Sequence, residues 1–153
     1  MQPVLKEEVF SAPRWQKIIY RFLSLLMLIL GGYVLMIKNA GWIIFLAPFI
    51  FLIAVSMFIY TRIKLIISND CIRFIGGLKK HSFLWSDITQ IDMVRLGKFK
   101  TPSATIYYSL GKLEISMSVY LKPEFNKILS LLEMKVDPVL FTENYKEVRR
   151  QII

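Results

Sequence analysis

The two residue types that build most catalytic and metal centres are nearly missing from this chain. A single cysteine, Cys71, excludes an internal disulfide and any multi-cysteine metal site. A single histidine, His81, excludes paired-histidine metal ligation within one chain. No glycine-rich phosphate loop is present, since Gly76-Gly77 lacks the lysine and hydroxyl spacing that such a loop needs. Acidic residues are also scarce: eleven stand against twenty Lys and Arg in 153 residues, a formal net charge of +9. Such an excess suits nucleic acid, an anionic lipid surface or an acidic protein. The soluble part lacks the interleaved aromatic and basic residues of a single-strand binder, which sets nucleic acid aside.

Charge is absent altogether from residues 42–60, WIIFLAPFIFLIAVSMFIY, nineteen in a row. As a helix they would span about 28 Å, close to the hydrocarbon thickness of a bilayer. Trp42 and Tyr60 stand at the ends, where amphipathic rings favour the headgroup level. Pro48 should interrupt one backbone hydrogen bond and kink the span, which membrane helices tolerate. A second uncharged run, FLSLLMLILGGYVLMI over 22–37, extends back to Ile18 if Arg21 carries its charge out to the interface. In it, Gly31 and Gly32 would admit the close approach of another helix. The run is too long for a signal peptide, no small-residue cleavage site follows it, and the second span arrives at once. Lys38, Asn39, Ala40 and Gly41 alone join the two, so the spans should be antiparallel neighbours. The flanks carry Lys6, Arg14, Lys17 and Arg21 before the hairpin and Arg62, Lys64 and Arg73 after it, against Lys38 in the turn. The positive-inside rule therefore predicts that both termini are cytoplasmic.

After Tyr60 the pattern changes to period two. Leu113, Ile115, Met117 and Val119 alternate with polar residues, predicting a strand over 112–119. Residues 104–110 alternate likewise, with Ile106, Tyr108 and Leu110 on one side, and Gly111 marks a tight hairpin. Strands are also expected over 62–68, 71–75, 81–85 and 88–96, with Asn69-Asp70 as turn chemistry and a bulge near Val94, where alternation breaks. Pro123 suits a first helical position, and Phe125, Ile128, Leu129 and Leu132 follow at helical spacing. Asp137-Pro138 ends that helix. Thr142 then caps a last one, in which Tyr145, Val148 and Ile152 share a face. Strands followed by an amphipathic helix make a small α+β or capped-barrel domain.

A membrane hairpin running into RIKLIISNDCIRFI, then a glycine and lysine turn, then FLWSDITQI, resembles bacterial two-helix membrane proteins with a cytoplasmic PH-like domain. The element that carries the resemblance is Trp85, Ser86, Asp87 and Ile88, placed after the third strand; the likeness covers about residues 17–135. It implies a seven-strand bent sheet or partly open barrel closed by the helix near Phe125–Leu132, in a multi-pass protein of the bacterial inner membrane. Most such families have no assigned activity, so the resemblance speaks to architecture. It divides the chain into a cytoplasmic amino-terminal segment (1–16), a transmembrane helical hairpin (17–60), a PH-like domain (61–135) and a C-terminal helical extension (136–153).

Read from the residues, Trp85 should bury its ring, Ser86 or Asp87 should cap a tight turn, and Ile88 should re-enter the core. Asp87 has no second titrating partner at readable spacing, which argues against a catalytic carboxylate. No catalytic, cofactor-binding or metal-ligating set can be composed, and the chain reads as a non-enzyme. Charge remains: Lys79, Lys80, Lys98 and Lys100 fall in two expected loops and are the candidate residues for anionic lipid headgroups or a protein partner. The function expected is a membrane-tethered interaction module. The alternative is an immunity or inhibitor protein that neutralises a cognate toxin at the membrane, and a homo-oligomer is a further partner reading. The orientation is testable: in a Cys71→Ser background, Asn39→Cys should react with a membrane-impermeant thiol reagent on intact cells. Labelling only after permeabilisation would reverse the topology.

Overall fold

A computed structural model describes residues 7–38, 41–76 and 78–152. Strand β1 (Glu8–Ser11) precedes helices α1 (Arg14–Met36) and α2 (Ala47–Tyr60). Six strands follow: β2 (Lys64–Ile67), β3 (Cys71–Gly76), β4 (Lys79–Leu84), β5 (Ile88–Leu96), β6 (Thr101–Tyr108) and β7 (Gly111–Ser116). Helices α3 (Lys122–Lys135) and α4 (Glu143–Ile152) complete the order. These elements form two compact units, one holding Ala12–Lys64 with Ile75–Lys80, the other holding the rest.

In the helical unit, both arms are long and apolar enough to cross a membrane. Only 17% of the most apolar window of the first arm and 11% of the second are buried, whereas a helix in a soluble core would be mostly buried. Side chains such as Phe22, Ile29, Phe49 and Leu52 face outward. The second arm is not one kinked α-helix, as its proline suggested. Gly41–Leu46 winds as a 3₁₀-helix, and Pro48 stands in the first turn of α2. Without an N–H, proline fits a helix start, and its ring crowds the preceding turn out of α geometry. Six residues at about 2.0 Å and fourteen at about 1.5 Å give the second arm about 33 Å, which matches the length of α1. Of the turn between the arms, Asn39 and Ala40 lie outside the described residues.

The arms touch as antiparallel neighbours. The Tyr20 and Tyr60 rings meet edge-on at 5.0 Å, and Ser24 Oγ donates to the Ala54 carbonyl at 2.9 Å. Farther along, a Cβ on Gly31 would come within 3.1 Å of the Phe51 ring, so its lack of a side chain admits that ring. Gly32 has open space around it and plays no such part.

Most strand residues lie in the other unit, while the end of β3 and the first two residues of β4 are grouped with the helices. The seven strands form two separate antiparallel sheets, ordered β1-β2-β3-β4 and β5-β6-β7, and neither is closed into a barrel. The strand without a counterpart in the periodicity is β1, contributed from before the helices to the edge beside β2. Its Phe10 is 5% exposed and belongs to the same core as Leu65, Ile72, Phe83, Ile106 and Phe125. Two ion pairs fasten it: Arg73 to Glu7 at 3.3 Å and Lys127 to Glu8 at 2.8 Å. Both pairs are largely solvated, so each contributes at most about 1 kcal/mol, and Phe10 contributes more.

Three local expectations change. The register shift in β5 lies between Ile88 and Gln90, and Val94 pairs regularly with Ser103. Leu110 is not on a buried face: with Ser109 it forms the two-residue β6–β7 turn and is 90% exposed. β7 stops at Ser116, because that hydroxyl meets Ser118 Oγ at 2.8 Å and accepts the Ser118 N–H at 3.3 Å. Such a side-chain turn offers the backbone an alternative to the ladder, although Met117 and Val119 still pack on the core.

α3 buries Phe125, Ile128, Leu129 and Leu132. The chain beyond it joins the same core. Phe141 forms a parallel bridge with Ile91, and the Thr142 N–H donates to the Ile91 carbonyl at 3.0 Å, so this segment covers the β5 edge. Thr142 Oγ1 accepts the Tyr145 N–H at 3.1 Å, the N-cap of α4. The Tyr145 hydroxyl donates to Glu133 at 2.9 Å; burial and that carboxylate push its pKa up, which keeps it a donor. Because Phe10 lies in the core, Phe10→Ala should destabilise the domain by about 3–5 kcal/mol, while Val9→Ala on the exposed face stays within about 0.5 kcal/mol. Hydrogen exchange of the β2 amides in the full chain measures both; equal protection in the two variants would contradict the packing of β1.

Candidate functional site

Trp85–Asp87 forms a single 3₁₀ turn between β4 and β5, where the chain passes from one sheet to the other. Asp87 Oδ2 accepts the Leu84 N–H at 2.9 Å, which closes the turn, and Ile88 enters the core. Trp85 is half-buried, its ring packed against the core rather than within it. The reason is its polar edge: Nε1 donates to the Ser68 carbonyl at 3.0 Å, just past the end of β2. Ser86 is exposed. The four residues thus serve one sheet-to-sheet corner.

The other chemistry-bearing residues have structural partners. His81 bonds through Nδ1 to the Tyr108 hydroxyl, and the Tyr108 ring stacks on Phe83 at 4.2 Å with an 8° interplanar angle. With Phe74 against His81, this aromatic group joins β3 and β4 of one sheet to β6 of the other. Half-buried Cys71 lies with its sulfur 3.3 Å from Ser68 Oγ, whose hydroxyl also reaches the Cys71 carbonyl at 2.9 Å. Asp92 accepts from Thr142, and Glu114 accepts from the fully buried Ser103 at 2.9 Å. Each of these bonds satisfies a group that would otherwise cost free energy to desolvate.

The four candidate lysines divide into two pairs. Lys79 and Lys80 are the first residues of β4 rather than turn residues, and Leu78 before them is 89% exposed; Gly77 lies outside the described residues. Lys98 and Lys100 belong to the β5–β6 turn, flanking Phe99, which is 90% exposed. That turn is tight: the Lys100 N–H donates to the Gly97 carbonyl at 3.1 Å, with Gly97 at φ 71° and Lys100 at φ 48°. Lys100 is the single non-glycine residue with positive φ among the described residues, a conformation that costs about 1–2 kcal/mol. The two pairs fall in different compact units.

The fold brings Lys100 together with cations that sequence reading did not group with it. Arg95, Lys100 and Lys122 line a cleft of about 200 Å³ whose other walls are Pro102, Met117, Gln151 and Ile152. No single segment signals it, because its residues come from β5, the β5–β6 turn, β6, the segment after β7, the start of α3 and the end of α4.

No protein-family model matches the chain, and no curated protein matches it. The Trp85–Asp87 corner makes a specific prediction. Trp85→Ala should cost about 2–4 kcal/mol, from a half-buried ring and one lost hydrogen bond, and Asp87→Ala about 1 kcal/mol. Urea unfolding of the purified full chain measures both. If Asp87→Ala instead removed a cellular phenotype at unchanged stability and membrane level, the residue would have a role beyond the turn.

Proposed function

We propose that the protein is a non-enzymatic module of the bacterial inner membrane, whose cytoplasmic PH-like domain docks its basic turns on anionic lipid headgroups. The PH-like reading is supported by the order of elements: four strands in one sheet, three in the next, then α3. In this reading the membrane hairpin occupies the connection between the first and second strands. Because β1 and β2 are neighbours in one sheet, the segments before and after the hairpin belong on one face of the bilayer. The Lys and Arg of the flanks make that face the cytoplasmic one.

The observation that carries the lipid reading is the composition of the two turns. Each sets a large, nearly fully exposed apolar side chain, Leu78 or Phe99, beside two lysines without an ion-pair partner among the described residues. An apolar tip that enters the headgroup layer while lysines meet anionic charge is the chemistry of interfacial contact. Each lysine contributes about 1 kcal/mol near an anionic surface, and exposed charges are screened over about 8–10 Å. The hairpin already anchors the chain, so the turns set the posture of the domain rather than its attachment.

The full chain is the appropriate material for a test, since a fragment beginning at Arg62 would lack β1 and Phe10. In a Cys71→Ser background, Phe99→Cys carrying an environment-sensitive dye should shift to the blue in nanodiscs with anionic lipid. The shift should disappear in 1 M salt and when Lys79, Lys80, Lys98 and Lys100 are all changed to Glu, with membrane fractionation unaltered. Equal emission in neutral and anionic discs would overturn the lipid reading and turn attention to an acidic protein partner.

A further inference from the structure

The geometry points to a discrete binding site for a phosphomonoester in the cleft lined by Arg95, Lys100 and Lys122, separate from the diffuse attraction of the turns. Three cationic residues from three segments line it, and none of their side chains has an ion pair or hydrogen bond among the described residues. Gathering like charges around a small hollow is unfavourable unless something anionic occupies it. The charges are those a phosphate dianion needs: a guanidinium that can grip two oxygens, and two ammonium groups as point charges. Gln151 adds an amide. Lys122 is also the first residue of α3, whose N-cap Leu121 supplies no side-chain acceptor, so the positive end of a fourteen-residue helix adds to the field.

The walls limit what accompanies the phosphate. Pro102, Met117 and Ile152 offer a short apolar surface, and about 200 Å³ lies below the volume of most sites for drug-sized ligands. The fitting ligand is therefore a phosphomonoester with a small organic part, either a soluble molecule or the exposed headgroup of a lipid. Lys100 gives a second sign. Its left-handed backbone would be cheaper as glycine, yet the lysine held there lines the cleft. A strained residue kept at the lip of a charged hollow is the pattern expected where position matters more than stability.

Titration calorimetry of the full chain in neutral detergent, with glycerol 3-phosphate as the probe, tests the site. Saturable binding is expected, while glycerophosphocholine, a diester with no net charge, should not bind. Arg95→Ala, Lys122→Ala and Lys100→Gly should each weaken binding about tenfold or more, the loss of one charge-assisted contact. Lys112→Ala, which removes an equal charge outside the cleft, should leave it unchanged. Lys100→Gly should do this without lowering the unfolding temperature, because it relieves the backbone, so lost binding cannot be ascribed to misfolding. In nanodiscs, phosphatidic acid that competes with the probe identifies the lipid headgroup as the source; a lack of competition identifies a free phosphorylated molecule. Either keeps the assignment. No saturable binding, or an equal loss with Lys112→Ala, overturns it. Because the Phe99 dye reports docking independently, failure of the cleft and failure of the lipid reading are distinguishable.

Discussion

The pairing of β1 with β2 is the constraint on which the rest depends. It makes one sheet out of segments separated in sequence by the whole helical hairpin, and so obliges the chain to return after the second arm. Two arms of nearly equal length, about 33–34 Å each, satisfy that obligation. Joining such distant strands carries a closure cost that grows only slowly with loop length. Much of it is met in advance once the arms pack against each other through Ser24, Gly31 and the two tyrosines. Formation of the hairpin and folding of the sheet are thereby coupled: a hairpin that fails to form leaves β2 with a bare edge and the core without Phe10.

The same constraint explains why β1 was the hardest element to read. Four residues, Glu-Val-Phe-Ser, carry too little alternation to announce a strand, and two long apolar helices separate them from every strand that does. What makes them a strand is tertiary: a pocket for Phe10 and countercharges at Arg73 and Lys127. The hairpin, by contrast, was legible because the bilayer imposes a length and a polarity that composition alone displays. The strands of the β5–β7 sheet were legible where one face is buried and one solvated, as at Leu113 and Ile115. Their ends were not, since local side-chain bonds such as that of Ser116 decide where a ladder stops. Pro48 shows the same limit from another side. Its effect on the backbone was foreseeable, but whether the helix bends or restarts depends on the turn before it.

The chemical residues present a similar division. Trp85 and Asp87 form a corner between sheets, and the roles are visible in the short motif because both act within a few residues of themselves or on the adjoining hairpin. His81 had no readable role, because its partner Tyr108 lies in the other sheet. The cleft is the extreme case. Arg95, Lys100, Lys122 and Gln151 become neighbours only after the β5–β7 sheet and two helices have assembled, so no spacing in the chain could mark them.

Charge pairing separates those cations from an ordinary basic surface. The proposed positive-inside orientation would account for the Lys and Arg flanking the hairpin, but not for cations near the end of β5, in the β5–β6 turn and at the start of α3. The acidic residues are few, and most are committed elsewhere: Glu7, Glu8 and Glu133 hold β1 and α4 through ion pairs, while Asp87, Asp92 and Asp137 accept bonds at turns and caps. Arg73, Lys127, Lys146 and Arg149 form ion pairs, whereas Arg95, Lys100 and Lys122 form none among the described residues. Glu147 comes nearest to an exception, since it shares a second hollow with Arg95, yet the two form no ion pair. The fold therefore spends its acids on holding itself together and leaves a defined set of cations without counterions. Unpaired cations spread over a surface need only water, whereas three converging on one hollow raise each other's electrostatic energy. That energy is recovered when an anion enters, and this is the physical reason to look for function at the cleft rather than at the sequence motif.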